Sequence, residues 1–146
     1  MTPSIIQTLH QSYKELDSIY IDYAKNHNLS ISSFWILYSI NQSSEPLTQA
    51  EMCNIWTFTQ QTINTSLKNL EKDEYIEFRL SPNNKKNKYI YLTQKGQSLS
   101  KEIIIPFIQA EEEAMKTFSE KQQNLYNRFI KQHFEQLLSA VSKITK

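Results

Sequence analysis

Residues 48–72 read TQAEMCNIWTFTQQTINTSLKNLEK. Two helix starts are written into this stretch. Thr48, with Glu51 three residues later, is a capping box: the hydroxyl accepts from the third amide of the helix and the carboxylate reaches back to the cap amide. Thr59 is a second N-cap residue. Between the two, Trp56-Thr57-Phe58 interrupts the helical pattern. After Thr59, Ile63, Leu67 and Leu70 recur at spacings of four and three, one apolar stripe. The opposite face carries Gln60, Gln61, Asn64 and Thr65, with Lys68 its single base and no acid before Glu71. A solvated helix face ordinarily carries Lys, Glu and Arg, so this uncharged face of amides and hydroxyls needs another explanation. The stretch predicts a short helix over 48–55 that buries Ala50, Cys53 and Ile55, a turn, and a second helix over 59–72.

Beyond Lys72 the period drops to two. YIEFRL (75–80) places Ile76, Phe78 and Leu80 on one face of a strand, and KYIYL (88–92) is a second strand. SPNNKKN (81–87) is rich in turn residues, so the two strands form a hairpin tipped by Pro82, Asn83, Asn84, Lys85 and Lys86. Thr93 caps a long helix reaching residue 116 and kinked at Pro106. Ser119 with Gln122 opens a last helix to residue 144, striped by Leu125, Phe129, Phe134, Leu137 or Leu138, Val141 and Ile144. On the N-terminal side, residues 4–26 carry Ile5, Leu9, Tyr13, Leu16, Tyr20 and Tyr23 at helical spacing. SISSFWILYSI (30–40) is apolar on most sides, the pattern of a buried central helix.

A chain of 146 residues with 39% hydrophobic and 12% aromatic residues has material for one packed domain. Gly96 is its only glycine, which excludes Gly-rich phosphate loops and dinucleotide fingerprints. Cys53 is the only cysteine, so no intramolecular disulfide forms and a reducing, cytoplasmic home is expected. No signal-peptide pattern opens the chain. No apolar run approaches the roughly 20 residues of a membrane span, so no membrane partner is expected. His10, His27 and His133 form no ligand pair and Glu111–Glu113 reads as a solvated face, so neither a metal nor another cofactor is expected. No nucleophile–base constellation suggests an enzyme. Cys53 reads as a core thiol, with an oxidation sensor as the other reading.

The net charge of +1 gives no global signal for nucleic acid. The local charge does: from Phe78 to Lys95 there are Arg79, Lys85, Lys86, Lys88 and Lys95 and no acid. The chain order (helix, helix, helix–turn–helix, hairpin, two long helices) is the winged helix-turn-helix plan, in which the second helix of the pair enters the major groove and the hairpin reaches a neighbouring groove. The polar face then has a use. Gln and Asn bond bidentately to adenine and Thr to several base edges. Gln60, Gln61, Asn64 and Thr65 are the expected base readers, Thr59 and Thr62 the phosphate contacts, and Lys68 lies on the same helix. Arg79, Asn84, Lys85, Lys86 and Lys88 form the expected wing contacts.

LTQAEMCNIW (47–56), TQQTINTSLKNLEKDEYIEF (59–78) and YLTQKG (91–96) resemble the winged-helix segment of the MarR family of bacterial transcriptional regulators. The family's LT-x-x-E-L, T-V-x-x-x-V/L-x-x-L-E-x-x-G-L/Y-I and L-T-x-x-G elements are matched at Leu47–Met52, Thr62–Ile76 and Leu92–Gly96. The resemblance implies a mainly α fold with a small β-hairpin. Its winged helix-turn-helix domain, 42–92, is flanked by a helical dimerisation region, 1–41 and 93–146. It also implies a homodimer on a palindromic operator in double-stranded DNA, and a repressor released by a small lipophilic or aromatic effector. Tyr13, Phe34, Trp35 and Tyr38 are candidate walls for that effector, core or dimer packing being their other reading. The chain departs from the family at Asn84 and Lys86, where the wing usually carries Asp and Arg. Thr65 stands where an Arg is frequent, and Glu74 and Thr57 replace two glycines. These departures imply looser minor-groove reading, an A/T-leaning site, and two turns built differently. A dimeric winged-helix module that binds protein instead of DNA is the alternative.

Overall fold

The computed structural model describes residues 2–81, 83 and 86–144. The chain forms two compact units, one ending at Pro106 and one beginning at Phe107.

The first unit opens with α1 (Ile5–Asn26) and α2 (Ile31–Gln42), then β1 (Leu47–Thr48), α3 (Gln49–Ile55), α4 (Gln60–Lys72), β2 (Ile76–Leu80) and β3 (Lys88–Leu92). The caps act where the sequence puts them. Thr48 Oγ1 accepts from the Glu51 amide at 3.1 Å while Glu51 returns a carboxylate oxygen to the Thr48 amide at 3.3 Å. Thr59 Oγ1 accepts from the Thr62 amide at 3.1 Å. α4 packs on α2, and Ile63, Leu67 and Leu70 of the one, Phe34, Ile36 and Leu37 of the other, and Met52, Ile76 and Ile90 belong to a core in which each side chain is almost fully buried. One polar contact crosses it, between the hydroxyls of Ser32 and Ser66. The loop between α3 and α4 is pinned by Trp56, whose indole donates to Ser39 Oγ at 2.7 Å and whose ring lies 4.2 Å from that of Trp35.

Three local expectations change. The hairpin is part of a three-stranded antiparallel sheet of order β1-β3-β2, because Leu47 and Thr48 pair with Ile90 and Tyr89. A two-residue strand has no period to read, and only its partner creates it. α3 buries Met52, not Ala50 or Ile55, and leaves Cys53 half-buried. Seven residues are too few for spacing alone to choose the inward face. Along β2 the inward row fades, from buried Ile76 to Leu80 at 57% exposure, as the hairpin leaves the core. Pro82, Asn84 and Lys85 of the expected tip lie outside the described residues.

α4 closes in a Schellman turn: the Tyr75 amide donates to Leu70 O and the Glu74 amide to Glu71 O, both at 2.9 Å. Glu74 holds a φ of 64°, the left-handed conformation that suits glycine. The turn is made here without a glycine. Thr57 adopts no such φ, so only one of the two substituted positions needs a left-handed backbone. Removing the Cβ from a left-handed site outweighs the added freedom of the unfolded chain, so Glu74→Gly should stabilise the fold by about 1 kcal/mol. Chemical denaturation would read this as a higher midpoint at unchanged slope, and a lower midpoint would refute it.

The long helix expected after Thr93 runs on to Lys116 but changes its hydrogen-bond register on the way. α5 (Gln94–Leu99) passes into a π-helical segment, Ser100–Ile104, before α6 (Ile105–Lys116). The Ile105 amide donates to Ser100 O, a five-residue spacing. Pro106 follows at once; it has no N–H to give the α register and its ring crowds the carbonyl four residues back. Two side chains grip this segment from outside: Tyr23 Oη donates to Ile103 O at 2.6 Å, and Asn41 Nδ2 donates to Ser100 Oγ at 3.0 Å. Burial pushes the Tyr23 phenol up, keeping it a donor.

In the second unit, Thr117–Ser119 joins α6 to α7 (Glu120–Ile144). Ser119 and Gln122 form the expected cap exchange at 2.8 and 3.2 Å. Gln123 Nε2 seals the connection by donating to the carbonyls of Met115 and Phe118. None of the 25 residues of α7 is buried. Among the described residues, no helix is long and apolar enough to cross a membrane.

Candidate nucleic-acid interface

With Ile63, Ser66, Leu67 and Leu70 turned inward, the first turns of α4 present Gln60, Gln61, Thr62, Thr65 and Lys68 to solvent. Thr59 Oγ1 also donates to Thr62 Oγ1 at 2.9 Å, so these two hydroxyls form a local pair. Asn64 differs from its neighbours. It is half-buried, and its Oδ1 accepts from Gln49 Nε2 at 3.1 Å and from Cys53 Sγ at 3.6 Å. Gln49 had no place in the sequence reading, since its only signal is a position one turn from Cys53 on a helix whose facing partner spacing does not reveal.

The turn end of the hairpin meets this helix pair. Gln49 and Cys53 of α3, Gln60 and Asn64 of α4, and Lys86 and Lys88 from the wing line one open groove of about 300 Å³. Amides, hydroxyls and ammonium groups thus converge on one concave surface with no carboxylate in its lining. Arg79 and Lys95, of the same 78–95 run, are engaged elsewhere. Arg79 forms an ion pair with Glu77 and stacks 4.2 Å above the Tyr91 ring. Both side chains are roughly half exposed, so solvent screens the pair and an anion could compete for the guanidinium. Glu77 lies just outside the acid-free run, so composition alone did not reveal it. Lys95 donates to Asp73 O at 2.8 Å and caps the end of α4. Asn84 and Lys85, both expected wing contacts, lie outside the described residues.

Three of the candidate effector walls, Phe34, Trp35 and Tyr38, fall in an aromatic cluster of the first unit. Phe34 is fully buried, Trp35 and Tyr38 are half-buried 5.0 Å apart, and Tyr20 stacks on Trp35 at 4.7 Å. Tyr13 is 40% exposed on α1. Cys53 carries a thiol whose pKa burial raises, which suppresses the reactive thiolate.

A helix pair backed by a three-stranded sheet whose hairpin reaches past the second helix is a winged helix-turn-helix. Residues 27–86 match the model of the MarR family. A MarR family transcriptional regulator from Listeria monocytogenes, complexed with 26mer DNA, is 30% identical to this chain. The match covers 93% of this chain and 90% of that one, with a TM-score of 0.69. MarR from Oenococcus oeni superposes with a TM-score of 0.71 at 14% identity over 90% of this chain and 99% of that one. A mutant MepR from S. aureus bound to an oligodeoxyribonucleotide gives 0.56 at 19% identity over 96% and 99%. None of the curated proteins matches the chain. The chain belongs to the MarR family: it is a transcriptional regulator with a winged-helix fold, in a family of regulators and not of enzymes.

Proposed function

We propose that this regulator is a cytoplasmic homodimer that binds a palindromic operator in double-stranded DNA and represses transcription until a small lipophilic or aromatic effector releases it. The observation that carries this reading is the exposed, acid-free face of α4 beside a groove lined by Lys86 and Lys88. Gln60, Gln61, Asn64 and Thr65 would meet base edges, Thr59, Thr62 and Lys68 the backbone, and the wing lysines the flanking phosphates. The two DNA-bound relatives agree in fold with this arrangement.

The dimer reading rests on α7. Ile130, Phe134, Leu137, Val141 and Ile144 follow one another at alternate spacings of four and three, the pattern of a coiled-coil seam. Leu137 is 53% and Ile144 79% exposed in the single chain, a loss that a second copy would recover. On this reading the helices of 1–41 and 93–146 build the dimer and 42–92 the DNA-binding part. The effector would engage the half-buried side of the Trp35–Tyr38 cluster, near Tyr13 and Phe34, and shift the population of DNA-competent dimers.

Titration of duplex DNA against salt tests the reading. Log affinity should fall steeply and linearly with log salt, and Lys88→Ala should reduce the slope by about 1 per subunit while weakening all sequences alike. Gln61→Ala should instead weaken the preferred site by about 1–3 kcal/mol and spare unrelated sequences. Absence of sequence-selective binding at low salt would favour a protein-docking module instead.

A further inference from the structure

An asparagine that recognises adenine uses both ends of its carboxamide: the oxygen accepts from N6 and the nitrogen donates to N7. The oxygen of Asn64 is already engaged. Gln49 Nε2 donates to it at 3.1 Å and Cys53 Sγ at 3.6 Å, and a carboxamide oxygen has only two lone pairs. Both donors sit on α3, behind the face that α4 turns to solvent, and Gln49, Asn64 and Gln60 line the same groove. The half-buried Cys53 thiol stays protonated at neutral pH, because burial raises its pKa, so it faces an oxygen as a donor. With its oxygen committed, the group that Asn64 has left to offer a base is Nδ2 with its two hydrogens.

We infer that Gln49 is a positioning residue for sequence specificity: by holding Asn64 Oδ1 against α3 it makes Asn64 a donor-only reader, suited to guanine N7/O6 or thymine O4 and deprived of the adenine preference of an unrestrained asparagine. The inference rests on the DNA-binding reading above and sharpens it at one position of each half-site. It also departs from the A/T-leaning site expected from the missing Arg, because guanine becomes acceptable at that position.

The test is selection of the full-length dimer on a randomised duplex pool, read as the ratio of the four bases at each operator position. Asn64→Ala locates the position that Asn64 reads. There the wild type should select guanine or thymine over adenine. Gln49→Glu cannot donate; it would accept from Asn64 Nδ2, turn the carboxamide over and expose its oxygen. Adenine or cytosine should then gain about tenfold over guanine at that position alone. The added negative charge weakens every sequence alike and cancels in the ratio. Gln49→Leu, which removes the hydrogen bond without adding charge, should also raise adenine there. Wild-type selection of adenine at that position would overturn the inference, as would ratios unmoved by both Gln49 variants. If Asn64→Ala alters no position, Asn64 reads no base and the inference falls while the DNA-binding reading stands. If the wild type selects no sequence, both fall together.

Discussion

Gly96→Ala should lower the unfolding free energy by about 3 kcal/mol, the upper end of the overpacking range. Helix propensity alone predicts the reverse, since alanine is about 1 kcal/mol better than glycine inside a helix. Geometry decides the sign. α5 crosses the carbonyl of Tyr75 so closely that a Cβ at Gly96 would collide with that oxygen, lie 2.9 Å from the carbonyl carbon and 3.2 Å from Leu92 Cδ2. The obstacle is backbone, and it is held: the Thr93 amide donates to Tyr75 O at 3.1 Å while the Thr93 hydroxyl donates to Glu74 O. Thr93 Oγ1 in turn accepts from the Gly96 amide at 3.0 Å. The L-T-x-x-G element is thus a clasp between the end of α4 and the start of α5. Thermal melts would show the variant several degrees lower; an unchanged or raised midpoint would mean that α5 can shift away at little cost.

The second large effect concerns assembly. If α7 forms the proposed dimer seam, lysine at both Ile130 and Leu137 should convert the protein to a monomer at micromolar concentration and weaken operator binding by about 100-fold or more, because one half-site contact can no longer raise the effective concentration of the other. An isologous interface repeats each substitution on both copies, so two changes place four charges in the seam. Sedimentation would read the mass, circular dichroism the retained helix, and anisotropy the affinity. A variant that remains dimeric would remove α7 from the interface. One that becomes monomeric yet binds the palindrome undiminished would separate dimerisation from DNA binding.

Much of this architecture was legible from short-range chemistry. Thr48, Thr59, Thr93 and Ser119 each cap the helix expected of them, because a cap involves residues within three positions of one another. The α4 stripe was equally readable, since 13 residues fix a helical period. What escaped depends on partners distant in sequence. β1 exists through Ile90 and Tyr89; Trp56 finds Ser39 across 17 residues; Gln49 finds Asn64 across 15. The π-helical segment was invisible for another reason. Pro106 announces a disturbance, but whether a helix kinks or widens depends on what holds the preceding turn, here Tyr23 and Asn41. In the candidate interface, residue types and their outward face were readable, whereas the commitments of Asn64, Arg79 and Lys95 to neighbours were not.

The left-handed Glu74 has a consequence for how this chain can change over generations. Every glutamate codon becomes a glycine codon by one substitution at its second base. A more comfortable turn after α4 is therefore always a single mutational step away, and the sequence has not settled there. A protein already stable enough to function gains nothing selectable from the surplus. The position instead holds a reserve: a destabilising change elsewhere in the chain, such as one that alters the DNA-facing side of α4, could be offset by that step without disturbing any side chain that contacts the groove.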